Sequence, residues 1–255
     1  MNHLNDERVL SEVFNVLAKR KRYSSFSKET IESVFFDVVR KNPKLYEKVL
    51  NVKNLERSKV FKEFVSLIKA KLYKKSVMYV KDKGTHISSL ERGSLPDFVI
   101  EFLREHKIKR IIDLGCGLNP IYFPFNEIKV NYYFACDLRE DIVSAVNDFF
   151  LKNQINGEAV QMDFLAKLDE LPKANVAFLF KVLDLIEDKG HKHAEELIVS
   201  LAVKHLIVSF PLKTLSGKYM RFHRRTWLEK MLSRLSFDFY YKKTKNEIFY
   251  FIAKA

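Results

Sequence analysis

The densest concentration of chemically specific residues in the chain is the run Asp113-Leu-Gly115-Cys-Gly117. Glycines two apart let the backbone turn sharply at positive φ and leave bare main chain for a ligand to lie against. The third glycine of a dinucleotide-type G-x-G-x-x-G is replaced by Pro120, so the loop lacks the fingerprint that holds a pyrophosphate. Acids end the next two hydrophobic runs: Asp137 closes NYYFACD and Asp163 closes GEAVQMD. A carboxylate at the first of these positions can accept a ribose diol, and one at the second can meet an adenine amine. A ligand with ribose and adenine but no pyrophosphate is S-adenosylmethionine. The expected cofactor set is Asp113, Gly115, Gly117, Asp137 and Asp163, with the neighbouring Leu138, Phe164 and Phe180.

Other candidate chemistry is weaker. Cys116 has no neighbouring base and reads as a small turn residue, and Cys116 and Cys136 form no C-x-x-C pair. His191 and His193 lie two apart on an expected helix, so they do not share a face and read as surface residues. No metal-spaced cluster is present, and no metal is expected. Asn119-Pro120 follows the first strand, not the fourth, which ends Phe180-Lys181. The base-amino methylation signature N-P-P-[YF] is therefore absent.

The elements that would position these residues alternate from about residue 95. Strands are expected at KRIIDL, NYYFACDL, GEAVQMD, NVAFLFK and KHLIVSFP, with helices over 140–152 and around HKHAEELIVSLAV. A helix over Trp227–Leu235 follows, then FDFYYKKT and EIFYFIA, joined as a hairpin at Lys245-Asn246. Parallel βα units closed by an antiparallel hairpin predict an α/β fold with a Rossmann-like, class I methyltransferase sheet.

Residues 1–80 read instead as an all-helical subdomain. Val9, Val13, Phe14, Val16 and Leu17 recur at helical spacing. A second helix follows Ser27 and ends at Pro43, and a third carries Val60 to Leu72. The 255 residues carry a formal net charge of +13. Residues 1–80 hold 18 Lys and Arg against 9 Asp and Glu, so most of the surplus sits in this appendage. That concentration favours a polyanionic partner. Lys19, Arg20, Lys21 and Arg22 form one cluster, and Lys71, Lys74 and Lys75 belong to another. Lys213, Lys218, Arg221, Arg224 and Arg225 form a third, acid-free segment after the fifth strand, expected to meet phosphates. The expected domains are 1–80 for docking, a linker 81–94 contributing to the cofactor site, and a catalytic domain 95–255. The N-terminus lacks a signal-peptide apolar stretch and no run approaches a membrane span, so no membrane partner and a cytoplasmic location are expected.

DLGCGLNPI, FKVLDLIE and IVSFPLKTLSGK resemble the 16S rRNA guanine-N7 methyltransferases that confer aminoglycoside resistance, as do the linker GTHISSLERG and the closing NEIFYFIAKA. The resemblance runs from about residue 84 to the C-terminus. It implies 16S rRNA within the 30S subunit as partner and a decoding-site guanine as target; a monomer is expected because that substrate is large. It implies that Arg92 binds the cofactor carboxylate, that Lys181 and Glu187 are catalytic, and that Ser209, Phe210 and Pro211 shape the target-base pocket. Asp184 stands where that family has proline, and the stretch after Leu215 is shorter than the family's glycine-rich loop. Methylation of another rRNA or tRNA position, methylation of a small molecule, and an inactive RNA-binding module are the alternatives.

Overall fold

The computed structural model describes residues 3–20, 23, 26–76, 92–186, 190–214 and 218–254. The chain divides into two compact units, Met1–Val77 with Leu138–Asp141, and Met78–Asp137 with Ile142–Ala255. Of the expected linker 81–94, only residues 92–94 lie among those described.

The first unit is helical: α1 (His3–Ala18), α2 (Lys28–Lys41), α3 (Pro43–Leu50) and α4 (Lys59–Ser76). Ser27 caps α2, its hydroxyl accepting from the Thr30 amide at 3.2 Å. Pro43 was expected only to end α2. It also opens α3 at the first helical position, where a missing amide hydrogen costs nothing and the fixed φ suits a helix. The core of the unit is aromatic: Phe35 meets Tyr46 and Phe64 edge-on at centroid distances of 5.7 and 5.6 Å. The stripe Val9, Val13 and Leu17 of α1 is fully buried in the same cluster.

The second unit contains α5 (Asp97–Glu105), β1 (Arg110–Leu114), β2 (Tyr132–Asp137), α6 (Glu140–Lys152), β3 (Gly157–Gln161), β4 (Val176–Phe180) and α7 (Leu183–Ile186). It continues with α8 (Lys192–Ser200), β5 (His205–Pro211), α9 (Thr226–Arg234), β6 (Asp238–Lys243) and β7 (Glu247–Ala253). The seven strands run in the order β3-β2-β1-β4-β5-β7-β6. The first five are parallel, and β7 pairs antiparallel with both β5 and β6. Strand order reverses outward from β1 and β4, which sets a ligand crevice at the carboxyl ends of those strands. Because β7 runs the other way, its first residue, Glu247, pairs with Pro211 at that same edge. Apolar clusters cover both faces of the sheet, as helix-covered parallel strands require.

The opposite, amino-terminal edge holds a histidine pair. The rings of His106 and His205 lie 4.6 Å apart, and Nδ1 of His205 is buried with no hydrogen-bond partner among the described residues. Burial, then the proximity of His106 and Lys204, holds the His205 pKa below its usual 6.5. The unfolded chain therefore binds the extra proton first, and stability is lost as pH falls below about 6.5. Thermal unfolding followed between pH 7 and 5 is expected to show a falling Tm, with a shallower fall in His205→Gln. Parallel profiles would remove His205 as a cause.

Candidate active site

The turn after β1 is built as its glycines require. Gly115 and Gly117 sit at φ +64° and +51°, a region where a Cβ would be strained. The Gly117 amide donates to Oδ2 of Asp137 at 3.0 Å, and the Cys116 amide donates to the Cys136 carbonyl at 2.9 Å. These two bonds tie the turn to the end of β2. Asp137 is buried at that strand end, and Asp163 follows β3 at the same edge, its carboxylate accepting from the Leu165 amide at 3.3 Å. A bare turn beside two strand-end carboxylates suits a nucleoside: main chain for the flat parts, acceptors for hydroxyls and an amine. Cys116 is buried, and burial, with Asp137 and Asp113 behind it, pushes its thiol well above its ordinary pKa. A protonated, enclosed thiol is a packing group, not a nucleophile.

Beneath the turn runs a buried polar network. Asp113 is fully buried and accepts from the Tyr133 hydroxyl at 2.9 Å and from the Asn119 amide at 3.4 Å. Burial pushes its carboxyl up to about 7, against the lowering effect of those two donors and of Arg92. Asp113 is thus the floor of the turn, not its lining. Asn119 accepts in turn from Nη1 of Arg92 at 2.8 Å. Nε of Arg92 donates to both oxygens of Glu247, at 3.1 and 3.3 Å, and its guanidinium lies 4.6 Å from the centre of the Phe180 ring. Nη2 of Arg92 has no partner among the described residues. Lys181 Nζ meets Glu247 at 2.9 Å, and the Ser209 hydroxyl donates to the same carboxylate at 3.0 Å. The Arg92, Lys181 and Glu247 side chains are 7%, 9% and 3% exposed. Burial alone would raise the Glu247 carboxyl, but Arg92 and Lys181 hold it below its usual value.

Among the described residues, this cluster sets two cations, Arg92 and Lys181, directly against one carboxylate, Glu247. It borders a cavity of about 460 Å³ whose walls include Pro96, Phe98 and Thr244. Lys181 also adopts φ +60°, held by its amide bond to the Ser209 carbonyl at 2.9 Å. A non-glycine residue kept in that region stores strain of ~1–3 kcal/mol, which is commonest where a side chain must be aimed. Among the described residues, no group of three or more His, Cys, Asp or Glu could hold a metal ion.

The model of the ribosomal RNA methyltransferase (FmrO) family matches residues 80–249, well over half of the chain. The chain belongs to the FmrO ribosomal RNA methyltransferase family. A 16S rRNA (guanine(1405)-N(7))-methyltransferase of Serratia marcescens is 28% identical over 178 residues, 68% of this chain and 69% of that protein. Two solved structures share the fold. The 16S rRNA methyltransferase RmtF, in complex with S-adenosyl-L-homocysteine, superposes with TM-score 0.74 at 20% identity over the whole of both chains. The 16S rRNA methylase RmtB gives 0.72 at 19%, over 96% of this chain and 98% of its own. As a member of the FmrO family, the chain is an S-adenosylmethionine-dependent methyltransferase.

Within this FmrO-family fold, several residues singled out in the sequence take other positions. Phe210 is fully buried among core side chains, edge-on to Trp227 and Tyr250, so its ring does not line an open pocket. Ser209 is buried on Glu247, and Pro211 is half-buried at the strand end. Phe164 is enclosed in the apolar cluster on one face of the sheet. Leu138 packs against the apolar cluster of the helical unit. Glu187 lies outside the described residues; among those described, the carboxylate that meets Lys181 is Glu247. Sequence reading passed over Glu247 because it lies 155 residues from Arg92; its one signal was its place in the family-like ending N-E-x-x-Y.

The basic segment is also divided. Arg225 is enclosed, its side chain 11% exposed, paired with Asp184 at 3.0 Å and lying over the Phe210 ring at 4.8 Å. Asp184, which replaces a proline of the resembled pattern, thereby pins the end of the segment to α7. Arg224 pairs with Glu229, which also takes the Tyr250 hydroxyl at 2.8 Å. Arg225 is thus enclosed in the fold, while the Arg224 side chain stays 52% exposed. Lys218 and Arg221 are exposed, and Lys213 is half-buried. In the helical unit Lys19 pairs with Glu56 on the surface, Lys71 pairs with Asp37, and Arg20 is exposed. Lys21 and Arg22 lie outside the described residues, as do the side chains of Lys74 and Lys75. His193 is exposed beside Glu196, and His191 stacks on Trp227 at 4.1 Å.

Proposed function

We propose that this protein methylates N7 of a decoding-site guanine of 16S rRNA within the 30S subunit, as a monomer in the cytoplasm, and so confers aminoglycoside resistance. The match to the Serratia marcescens enzyme carries this reading. The basic helical unit supports it, because a surplus of cations suits a ribosomal surface.

S-adenosylmethionine supplies an electrophilic methyl group on a sulfonium. Asp137 holds the ribose hydroxyls, Asp163 the adenine amine, and the bare backbone at Gly115 and Gly117 lets the nucleoside lie close. Arg92 offers Nη2 to the cofactor carboxylate, while Lys181 shares Glu247 with it. Lys181, aimed by its left-handed backbone, fixes the cavity wall where the base enters. Guanine N7 carries an in-plane lone pair and needs no deprotonation, so positioning and exclusion of water suffice. Glu187, a catalytic candidate from the family resemblance, is the acid we assign to stabilising the cationic product base. In duplex RNA the N7 edge faces a deep, narrow groove, so the target guanine must be turned out of the stack.

The test is methyl transfer from radiolabelled S-adenosylmethionine to intact 30S subunits, naked 16S rRNA and total tRNA, with the label mapped by borohydride–aniline cleavage. Label on a decoding-site guanine of the 30S subunit is expected. Label elsewhere in rRNA would keep the enzyme class and refute the site. Measurable cofactor binding with no labelled RNA would point to a small-molecule acceptor.

A further inference from the structure

The segment after β5 carries aromatic rings that the fold does not bury. Phe222 is 74% exposed, the most exposed aromatic side chain among the described residues, and Tyr219 is 54% exposed. Each lies under a cation: Lys213 Nζ is 4.9 Å from the Tyr219 ring centre, and the Arg221 guanidinium is 5.4 Å from that of Phe222. We infer that Tyr219 and Phe222 form a stacking platform for unpaired bases of the RNA substrate, with Lys213, Lys218 and Arg221 on the adjoining phosphates. This deepens the function proposed above and rests on it.

The platform is held at both ends. At its start Lys213 and Tyr219 form an antiparallel bridge, with the Met220 amide donating to the Leu212 carbonyl and the Thr214 amide to the Lys218 carbonyl, each at 2.8 Å. At its end the enclosed Arg225–Asp184 pair fixes the chain against α7. Both anchors lie at the carboxyl edge of the parallel strands, beside the candidate active site. The rings are therefore presented where nucleotides flanking the target must pass.

The chemistry selects the partner. A single exposed aromatic side chain is ordinary, but rings alternating with cations, with no acid from residue 213 to 225, match what single strands require. Their bases offer π-faces and their backbone offers regularly spaced negative charge. The core of a protein–protein interface is instead depleted in lysine. A duplex keeps its base faces inside its own stack, so the occupant is an unpaired stretch.

Two measurements test the platform. In the first, initial rates on 30S subunits are compared for Phe222→Ala, Phe222→Leu and Phe222→Trp. The alanine variant is expected to raise KM for 30S roughly 5- to 100-fold, with S-adenosylhomocysteine affinity unchanged. Tryptophan should restore KM and leucine should not. Restoration by leucine would indicate an apolar protein contact and overturn the inference, as would a wild-type KM in all three. Lys218→Ala and Arg221→Ala should flatten the salt dependence of binding, which Phe222→Ala should leave alone.

The second measurement does not need catalysis. The chain has one tryptophan, Trp227, so Phe222→Trp adds one fluorophore over a measurable background. Its emission should be quenched by a single-stranded oligoribonucleotide and not by a duplex of the same sequence. Absence of quenching overturns the platform. Quenching in an enzyme that labels no rRNA would retain the platform and refute the proposed substrate.

Discussion

Replacing Glu247 by alanine is expected to destabilise the protein by about 3–5 kcal/mol and to reduce methyl transfer more than a hundredfold. Both effects follow from charge. Among the described residues Glu247 is the single acid between Arg92 and Lys181, and all three side chains are under 10% exposed. Removing one member of a buried ion pair leaves uncompensated charge in low dielectric, and here it would leave two cations facing one another. The carboxylate also aims both: Nε of Arg92 and Nζ of Lys181 converge on it, within 3.1 and 2.9 Å. On the proposed reading, a misaimed Arg92 would present its guanidinium wrongly to the cofactor carboxylate.

Charge and shape can be separated in a double-mutant cycle. Glu247→Gln keeps the side-chain length but raises the net charge of the cluster by one, and Lys181→Met returns it to the wild-type value. The double variant should therefore be more stable than Glu247→Gln alone, with a coupling of at least about 1 kcal/mol in urea unfolding. Additive effects would mean that the three side chains are neighbours without being an electrostatic unit. The cofactor provides a second readout. S-adenosylhomocysteine carries the carboxylate and 5′-methylthioadenosine does not, so Glu247→Gln should alter affinity for the first and spare the second.

Glu247 also shows where sequence reading stopped. The strands, their parallel run and the closing hairpin are legible because each strand is a short apolar run with a turn signal behind it. The pairing partner of β7 is not. A hairpin at Lys245-Asn246 fixes β6 against β7, yet nothing local says that β7 enters beside β5, and only that insertion brings Glu247 to Lys181 and Ser209. The Arg225–Asp184 pair, 41 residues apart, is invisible for the same reason, and so Arg225 was assigned to phosphate. Phe210 was misplaced for a different reason. In a strand covered on both faces, alternation no longer separates inside from outside, so Val208, Ser209 and Phe210 look alike in sequence and are all fully buried in the fold. Pro43 was read only as a stop, although proline is equally a starting residue for α3. The positive φ of Gly115 and Gly117 was legible because only glycine tolerates it well, whereas the bond from the Gly117 amide to Asp137, 20 residues on, was not.

That local constellation supports a prediction of comparable size. Asp137→Ala is expected to weaken S-adenosylhomocysteine binding about a hundredfold, since two hydrogen bonds to a charged acceptor are worth ~3 kcal/mol or more. Asp137 is buried, and its Oδ2 already receives the Gly117 amide at 3.0 Å, so alanine would also release the turn. Asp137→Asn isolates the ligand contribution: its carbonyl can still accept from Gly117, while its amide offers hydrogens where the ribose hydroxyls need an acceptor. Asparagine should thus keep the Tm of the wild type while losing most of the affinity. The loss should be the same for S-adenosylhomocysteine and for 5′-methylthioadenosine, because both carry the ribose diol, and this equality separates Asp137 from the Glu247 cluster, which we propose faces the amino-acid end of the ligand. Titration calorimetry with the two ligands decides it. An Asp137→Asn variant within threefold of wild type for both would place the ribose elsewhere along the strand edge, and Asp163 would be the next carboxylate to test.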